Sequence, residues 1–249
     1  HQRRFYPLVR KAKEIVKNGA IGKIRIVKGS YLQGWLGSKE EDTGLNKQAE
    51  WRTDPSRSGL AGSVGDIGSH TMHLIEFITG LKLQSVCSDL TTFVSGRKLD
   101  DDASIMLRLN NGAKGSLSIS QIATGEENNF SISIYGDKGS LKWSQENPNY
   151  AILSKIGEAD QTITRGGHIN FDEANASTRI PAGHPEGYLE AFAQIYSDVA
   201  DIIQKKGNYL DLLKLIPNVN DGLHIMKFIK ASVDSSNKNS NWVDLSTIK

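Results

Sequence analysis

The sequence predicts an α+β domain: one large, mostly antiparallel β-sheet with helices packed on one face. Three observations lead there. Segments with helical spacing of apolar residues lie toward both ends of the chain. Between residues 83 and 155 the period changes to two, in consecutive runs joined by tight turn signals. No alternating βαβα pattern and no G-x-G-x-x-G after a strand occurs, so no dinucleotide-binding half is present.

Taken in order, residues 6–18 read as an amphipathic helix. Pro7 suits its first turn, Leu8, Ala12, Ile15 and Val16 share one face, and Gly19 is a C′ residue whose turn Gly22 continues. Residues 23–34 alternate as a strand around Ile24 and Ile26. The polar stretch 36–64 lacks periodicity, which marks either disorder or function; Trp35 and Trp51 argue against plain disorder. Residues 69–79 form a helix that stops at Gly80. Strands follow over Val86–Val94, around Ala103–Leu109, across the Asn111-Gly112 hairpin to Leu117 and Ile119, and over Phe130–Ile134. The turn Gly136–Gly139 leads to Leu141 and Trp143, and Ala151–Ser154 adds a short strand. Residues 156–184 read as irregular. A helix spans 185–206, with an apolar stripe through Tyr188, Phe192, Ile195, Tyr196, Val199, Ile202 and Ile203, and a last one covers about 219–233.

Composition narrows the function. The chain has 249 residues, room for one to two domains at roughly 150 residues each. Lys+Arg total 30 against 28 Asp+Glu, a net charge of +2, with no basic stripe, so nucleic acid is not an expected partner. No run approaches the ~18 apolar residues of a membrane helix. Cys87 is the single cysteine, which excludes an intrachain disulfide and a cysteine-cage metal site. The chain opens on His1 without a signal peptide and almost directly into a helix. A missing natural N-terminus and a cytoplasmic location are the expectations. The serines at 116, 118, 120, 131 and 133 fall on one sheet face, read as a solvated or subunit-facing surface.

The chemistry concentrates in Gly65-Asp66-Ile67-Gly68-Ser69-His70. Asp66 and His70 lie four apart, on one face if the helix has begun. A carboxylate there can accept an imidazole N–H and leave the other ring nitrogen free as a base, and the glycines permit close approach. The plainer alternative is an N-cap aspartate beside a surface histidine. Asp66, His70, His73 and Glu76 could also gather as metal ligands, although His70 and His73 lack a downstream partner of recognisable spacing.

These motifs, with Arg4-Phe5-Tyr6-Pro7, Gly19–Ile24, Trp51–Pro55, Tyr135–Leu141 and Gly183–Tyr188, come in an order that resembles the glucose–fructose oxidoreductase/inositol dehydrogenase/MocA family, over essentially the whole chain. The resemblance implies that residues 1–249 are the C-terminal, substrate-binding and oligomerisation domain of an NAD- or NADP-dependent enzyme that oxidises a secondary alcohol of a sugar or polyol. It implies that the N-terminal dinucleotide-binding domain, with the lysine of a Glu-Lys-Pro segment, is missing, and that this chain alone is inactive. Asp66 and His70 match the family's catalytic Asp-x-Gly-x-His segment. His70 would be the general base, and Asp66 its orienter or an acceptor of a substrate hydroxyl. His73 departs from the acidic residue often found there. Cofactor-binding residues are expected mostly in the missing domain.

Further candidates for touching substrate are Trp51, through its indole; Gln33, at a strand end; His184, before Pro185; and Tyr6 and Arg3, near the expected cleft. Each has a structural alternative: a loop anchor, a solvated strand end, a helix cap, or core and surface roles. The broad sheet is expected to pair with a second copy into a homodimer or homotetramer. Readings from other classes are a non-catalytic binding or oligomerisation module on this fold, and a metal-dependent hydrolase using His70 and His73.

Overall fold

The chain enters through a 3₁₀ turn, Gln2–Phe5, and helix α1, Pro7–Lys17. Tyr6 sits at φ −63° and ψ 132°, the extended conformation favoured before proline, and Pro7 takes the first turn, where its missing N–H costs nothing. Strand β1, Ile24–Leu32, leads into a strap. The strap is folded: it holds a 3₁₀ turn, Glu40–Thr43, and the short helices α2, Lys47–Arg52, and α3, Pro55–Ser58. Asn46 and Asp54 start these helices by accepting from the Ala49 and Ser56 N–H groups. A π-helical turn, Val64–Gly68, runs into α4, Ser69–Thr79. This computed structural model describes residues 1–167 and 172–248.

Strands β2, Leu83–Thr91; β3, Asp102–Leu109; β4, Lys114–Ser120; β5, Asn129–Gly136; β6, Gly139–Ser144; β7, Tyr150–Lys155; and β8, Gln161–Thr164 follow. Then come α5, Asp172–Ser177; α6, Tyr188–Ile203; α7, Tyr209–Leu215; α8, Val219–Ser236; the two-residue β9, Val243–Asp244; and a 3₁₀ turn, Leu245–Thr247. Among the described residues the strands form one sheet of order β8-β7-β6-β5-β1-β4-β3-β2-β9. Neighbours are antiparallel except β1 and β4, which run parallel.

Three expectations about elements change. β2 ends at Thr91 rather than Val94, because the Phe93 and Val94 N–H groups turn to the Asp101 carboxylate. β8 lies inside the stretch 156–184 expected to be irregular. Its single buried residue, Ile163, leaves no periodicity to read, and residues 168–171 of that stretch lie outside the described residues. Most of the apolar stripe of α6 faces outward: Tyr188, Tyr196 and Ile203 are 56%, 74% and 75% exposed, Ile195 packs half-buried against the core, and Ala191, Gln194 and Asp198 are the buried residues. Asp198 is turned inward because it neutralises Arg10, a fully buried cation on α1.

Helices α1, α4 and α8 cover one face of the sheet, and the core lies between. The inward residues of β3 are Ala103, Ile105, Leu107 and Leu109; Ser104, Met106 and Arg108 face the other way. α4 approaches β1 at Gly29 so closely that a Cβ there would stand 2.4 Å from the Thr71 methyl. Among the described residues no helix covers the opposite face. Ser30, Ser118 and Ser104 align across β1, β4 and β3, and Lys28 pairs in register with Ser116 and Ser133. Ser120, expected on that face, is buried. No described helix is long and apolar enough to cross a membrane.

Candidate active site

The helix that carries Asp66 and His70 is started from a distance. The Asp100 carboxylate accepts from the Gly62 N–H (2.6 Å), the Val64 N–H (2.8 Å) and the Ser63 hydroxyl (2.7 Å), an N-cap supplied from the segment before β3. Position 62 must be glycine, since a Cβ would lie 2.2 Å from the Asp100 carbonyl oxygen. A Cβ at Gly65, by contrast, would meet nothing nearer than 3.7 Å, so that residue marks no close approach among the described atoms. The π turn adds a residue to the first winding, a distortion frequent at functional sites. Asp66 and His70 both line a cleft of about 730 Å³.

Two hydrogen-bonded sets line this cleft. In the first, Asp66 Oδ2 accepts from Arg52 Nε and from Gln121 Nε2, both at 2.8 Å. Arg52 also donates to the Gln48 side chain and stacks on Trp51, 4.2 Å from the ring centroid. This pair ties α2 of the strap to the π turn. In the second set, Arg3 donates to the Tyr31 hydroxyl, Tyr31 donates to Asn128 Oδ1 (2.7 Å), Gln33 Nε2 donates to the same oxygen (2.9 Å), and Trp35 Nε1 donates to Gln33 Oε1 (3.0 Å). The rings of Tyr188 and Phe192, edge to face at 4.9 Å, also line the cleft.

The expected Asp66–His70 hydrogen bond is not formed. Both of the donors that Asp66 Oδ2 accepts come from elsewhere, and His70 Nδ1 instead stands 3.2 Å from Nδ1 of His1. The His70 ring is half-buried beside the Arg3 cation. Burial first, and the Arg3 charge second, lower its pKa to about 3. The imidazole is therefore neutral at ordinary pH without a carboxylate partner, the reverse of a histidine poised near 6.5.

The metal arrangement does not assemble either. Asp66 is bound to Arg52 and Gln121, and Glu76 is held by His224 (2.7 Å), Lys82 (2.9 Å) and the Leu83 N–H (2.8 Å). His73 is buried, stacked on His1 at 4.1 Å and 3.4 Å from Arg4 Nη1. Among the described residues no three His, Cys, Asp or Glu side chains stand where they could hold one ion.

Of the residues singled out in the sequence, the cleft gathers Arg3, Gln33, Asp66 and His70. Three others fall outside its lining. Trp51 spends its indole N–H on Gln48 and its face on Arg52. Tyr6 is a core residue, 2% exposed, edge-on to Trp143, with burial raising its hydroxyl pKa to about 12. His184 lines a separate hollow with Arg165 and Asn149. The sequence reading missed Arg52, Gln121, Gln48 and Asn128. Arg52 carried a signal, as the neighbour of Trp51 in a recognised motif; the others sit singly in loops or a short helix, with no pattern.

A dinucleotide needs a strand, a glycine turn and a helix N-terminus aimed at its pyrophosphate. The described residues contain none: β1 and β4 are the one parallel pair, and no helix leaves β1 through such a turn.

Comparison with known proteins agrees with this fold. The GFO/IDH/MocA C-terminal domain model matches residues 9–142. An uncharacterised oxidoreductase of Bacillus subtilis, YfiI, is 32% identical over 235 residues, covering 92% of this chain and 60% of its own. An inositol dehydrogenase homologue of Azotobacter vinelandii, solved with NAD⁺, superposes with a TM-score of 0.91 at 27% identity, over 98% of this chain and 63% of that one; it was also solved with NADH and myo-inositol. The levoglucosan dehydrogenase of Pseudarthrobacter phenanthrenivorans is 26% identical over 97% of this chain and 65% of its own. Structures of levoglucosan dehydrogenase contain NADH, one of them levoglucosan as well. The chain thus spans about three-fifths of the length of such relatives. It belongs to the GFO/IDH/MocA family of oxidoreductases.

Proposed function

We propose that residues 1–249 form the substrate-side domain of an NAD(P)-dependent dehydrogenase that oxidises a secondary alcohol of a sugar or polyol. The observation that carries the reading is a cleft lined by fixed amide, carboxylate and guanidinium groups around a neutral imidazole. Such a lining offers many directed hydrogen bonds to a polyhydroxylated ligand and a lone pair to its reacting hydroxyl. The ligands of relatives, myo-inositol and levoglucosan, are of that class.

In this mechanism His70 takes the hydroxyl proton. Asp66, held by Arg52 and Gln121, keeps Oδ1 without a partner among the described residues, free to accept from a second hydroxyl. Tyr188 and Phe192 cover the reacting face and exclude water. The chemistry supplied by a bound nicotinamide is hydride acceptance. A screen of the full-length protein against sugars and polyols with NAD and with NADP tests the reading. Reduction of either cofactor by at least one such substrate is the expected result; turnover of none across the panel would end it.

Support for a further, dinucleotide-binding domain comes from the exposed apolar residues Tyr188, Tyr196 and Ile203 on α6, Leu210 and Leu213 on α7, and Leu223 and Met226 on α8, all about half exposed or more. An apolar surface of that extent needs a cover, and the additional length of the relatives can supply one. The sheet face lined by Lys28, Ser104, Met106 and Ser116 is proposed to meet a second copy. Light scattering on the full-length protein is expected to give a dimer or tetramer that Met106→Glu dissociates. A monomer at every concentration would contradict this.

A further inference from the structure

The hydrogen-bonded set that runs from Arg3 to Trp35 begins and ends on groups that can only donate. That fixes the direction of every bond between them. A guanidinium has no acceptor, so the Tyr31 oxygen accepts from Arg3, and the Tyr31 proton goes to the Asn128 atom 2.7 Å away. An indole N–H has no acceptor either. The Gln33 atom 3.0 Å from Trp35 is therefore its oxygen, and the Gln33 NH₂ points to the same Asn128 atom, at 2.9 Å. The indole at one end thus requires that atom to be Oδ1, and the Tyr31 hydroxyl, which accepts from Arg3, is free to donate to it. Nδ2 is then the other end of the amide; it is bonded to no described residue, and Asn128 lines the cleft. The main-chain N–H of Asn128 is separately held by Glu146, at 3.0 Å.

We infer that Asn128 is a specificity-determining residue, whose Nδ2 donates to an oxygen of the bound sugar or polyol. The inference rests on the substrate class proposed above and adds a polarity to it. Asn128 supplies a donor where Asp66 supplies an acceptor, so the ligand is read by the pattern of its oxygens. The amide cannot rotate without breaking two bonds, so its orientation is set before the ligand arrives, which lowers the ordering cost of binding.

The test uses the full-length protein, with myo-inositol and levoglucosan as probes and calorimetry as the readout. Each probe that binds is followed by its monodeoxy and monofluoro analogues. Fluorine accepts weakly and cannot donate. At one position of the ligand the deoxy analogue is expected to bind about tenfold more weakly than the parent, the value of one hydrogen bond, while the fluoro analogue recovers part of that loss. Asn128→Asp preserves both inward bonds, because a carboxylate oxygen accepts from Tyr31 and Gln33 alike, but it turns an acceptor to the ligand. In that variant the fluoro analogue should bind as poorly as the deoxy one. Gln33→Glu, which withdraws the donor from Asn128 Oδ1 and favours the flipped amide, should produce the same reversal. Unchanged fluoro-to-deoxy preference in both variants, with the parent still bound, would overturn the inference and leave the substrate class standing. Failure of the wild type to bind either probe would remove the substrate class and the inference together.

Discussion

Replacing His70 by alanine in the full-length protein should lower turnover by about 10²–10⁴-fold, the usual weight of a positioned general base. Cofactor affinity should change little, since the described residues offer a dinucleotide no phosphate-binding turn. A purely structural histidine would behave differently: the variant would melt earlier, and each folded molecule would turn over normally. Turnover per folded site, measured with a melting curve, separates the two, and near-normal turnover in a well-folded His70→Ala protein would exclude the assignment. The pH profile adds an independent reading. Burial and the Arg3 cation lower the His70 pKa to about 3, so its base form is complete above that value. Oxidation should therefore show no histidine limb between pH 5 and 8. A midpoint near 6.5 that disappears in His70→Ala would mean that the assembled enzyme relieves the desolvation described here.

A comparable effect on stability is expected from Asp198→Ala. Asp198 and Arg10 are 2% and 0% exposed, and their bond joins α6 to α1. Ser177 accepts a second bond from Arg10, at 2.6 Å, and Gln194 donates to the other Asp198 oxygen, also at 2.6 Å. Removing the carboxylate leaves a buried guanidinium uncompensated, a loss of about 3–5 kcal/mol, or roughly 10 °C in Tm. Asp198→Asn, which keeps an acceptor, should lose less. Replacing both partners by apolar residues of similar volume should recover much of the deficit, because the cost lies in the stranded charge. Thermal unfolding of the four proteins decides it; a wild-type Tm for Asp198→Ala would show the pair to be dispensable.

That pair also explains where the sequence misleads. An apolar stripe at helical spacing normally faces the core of its own domain, and on α6 most of it does not. The inward face is reserved for Asp198 and Gln194 by Arg10, 188 residues earlier in the chain, a coupling that no periodicity records. The central strands are legible because each buries one face and leaves the other open, giving clean alternation at Ile105–Leu109 and Phe130–Ile134. β8 is not, being short and buried at one residue. In the site, Asp66 and His70 are legible because they are neighbours in sequence. Their interaction is not: Asp66 is claimed by Arg52 and Gln121, which the fold brings from 14 and 55 residues away.

The place of β1 bears on how the chain reaches this state. It is first in chain order among the strands of this sheet and stands in its middle, clasped in parallel by β4 and in antiparallel by β5. Each of its hydrogen-bonding edges stays unpaired until a partner roughly ninety to a hundred and ten residues later has emerged. The hairpins β2-β3-β4 and β5-β6-β7-β8 can form locally on either side, but neither can be joined to the other without it. Assembly therefore ends on a long-range closure rather than growing outward from the first strand, the topology that makes folding slow and leaves strand edges exposed to aggregation while it proceeds.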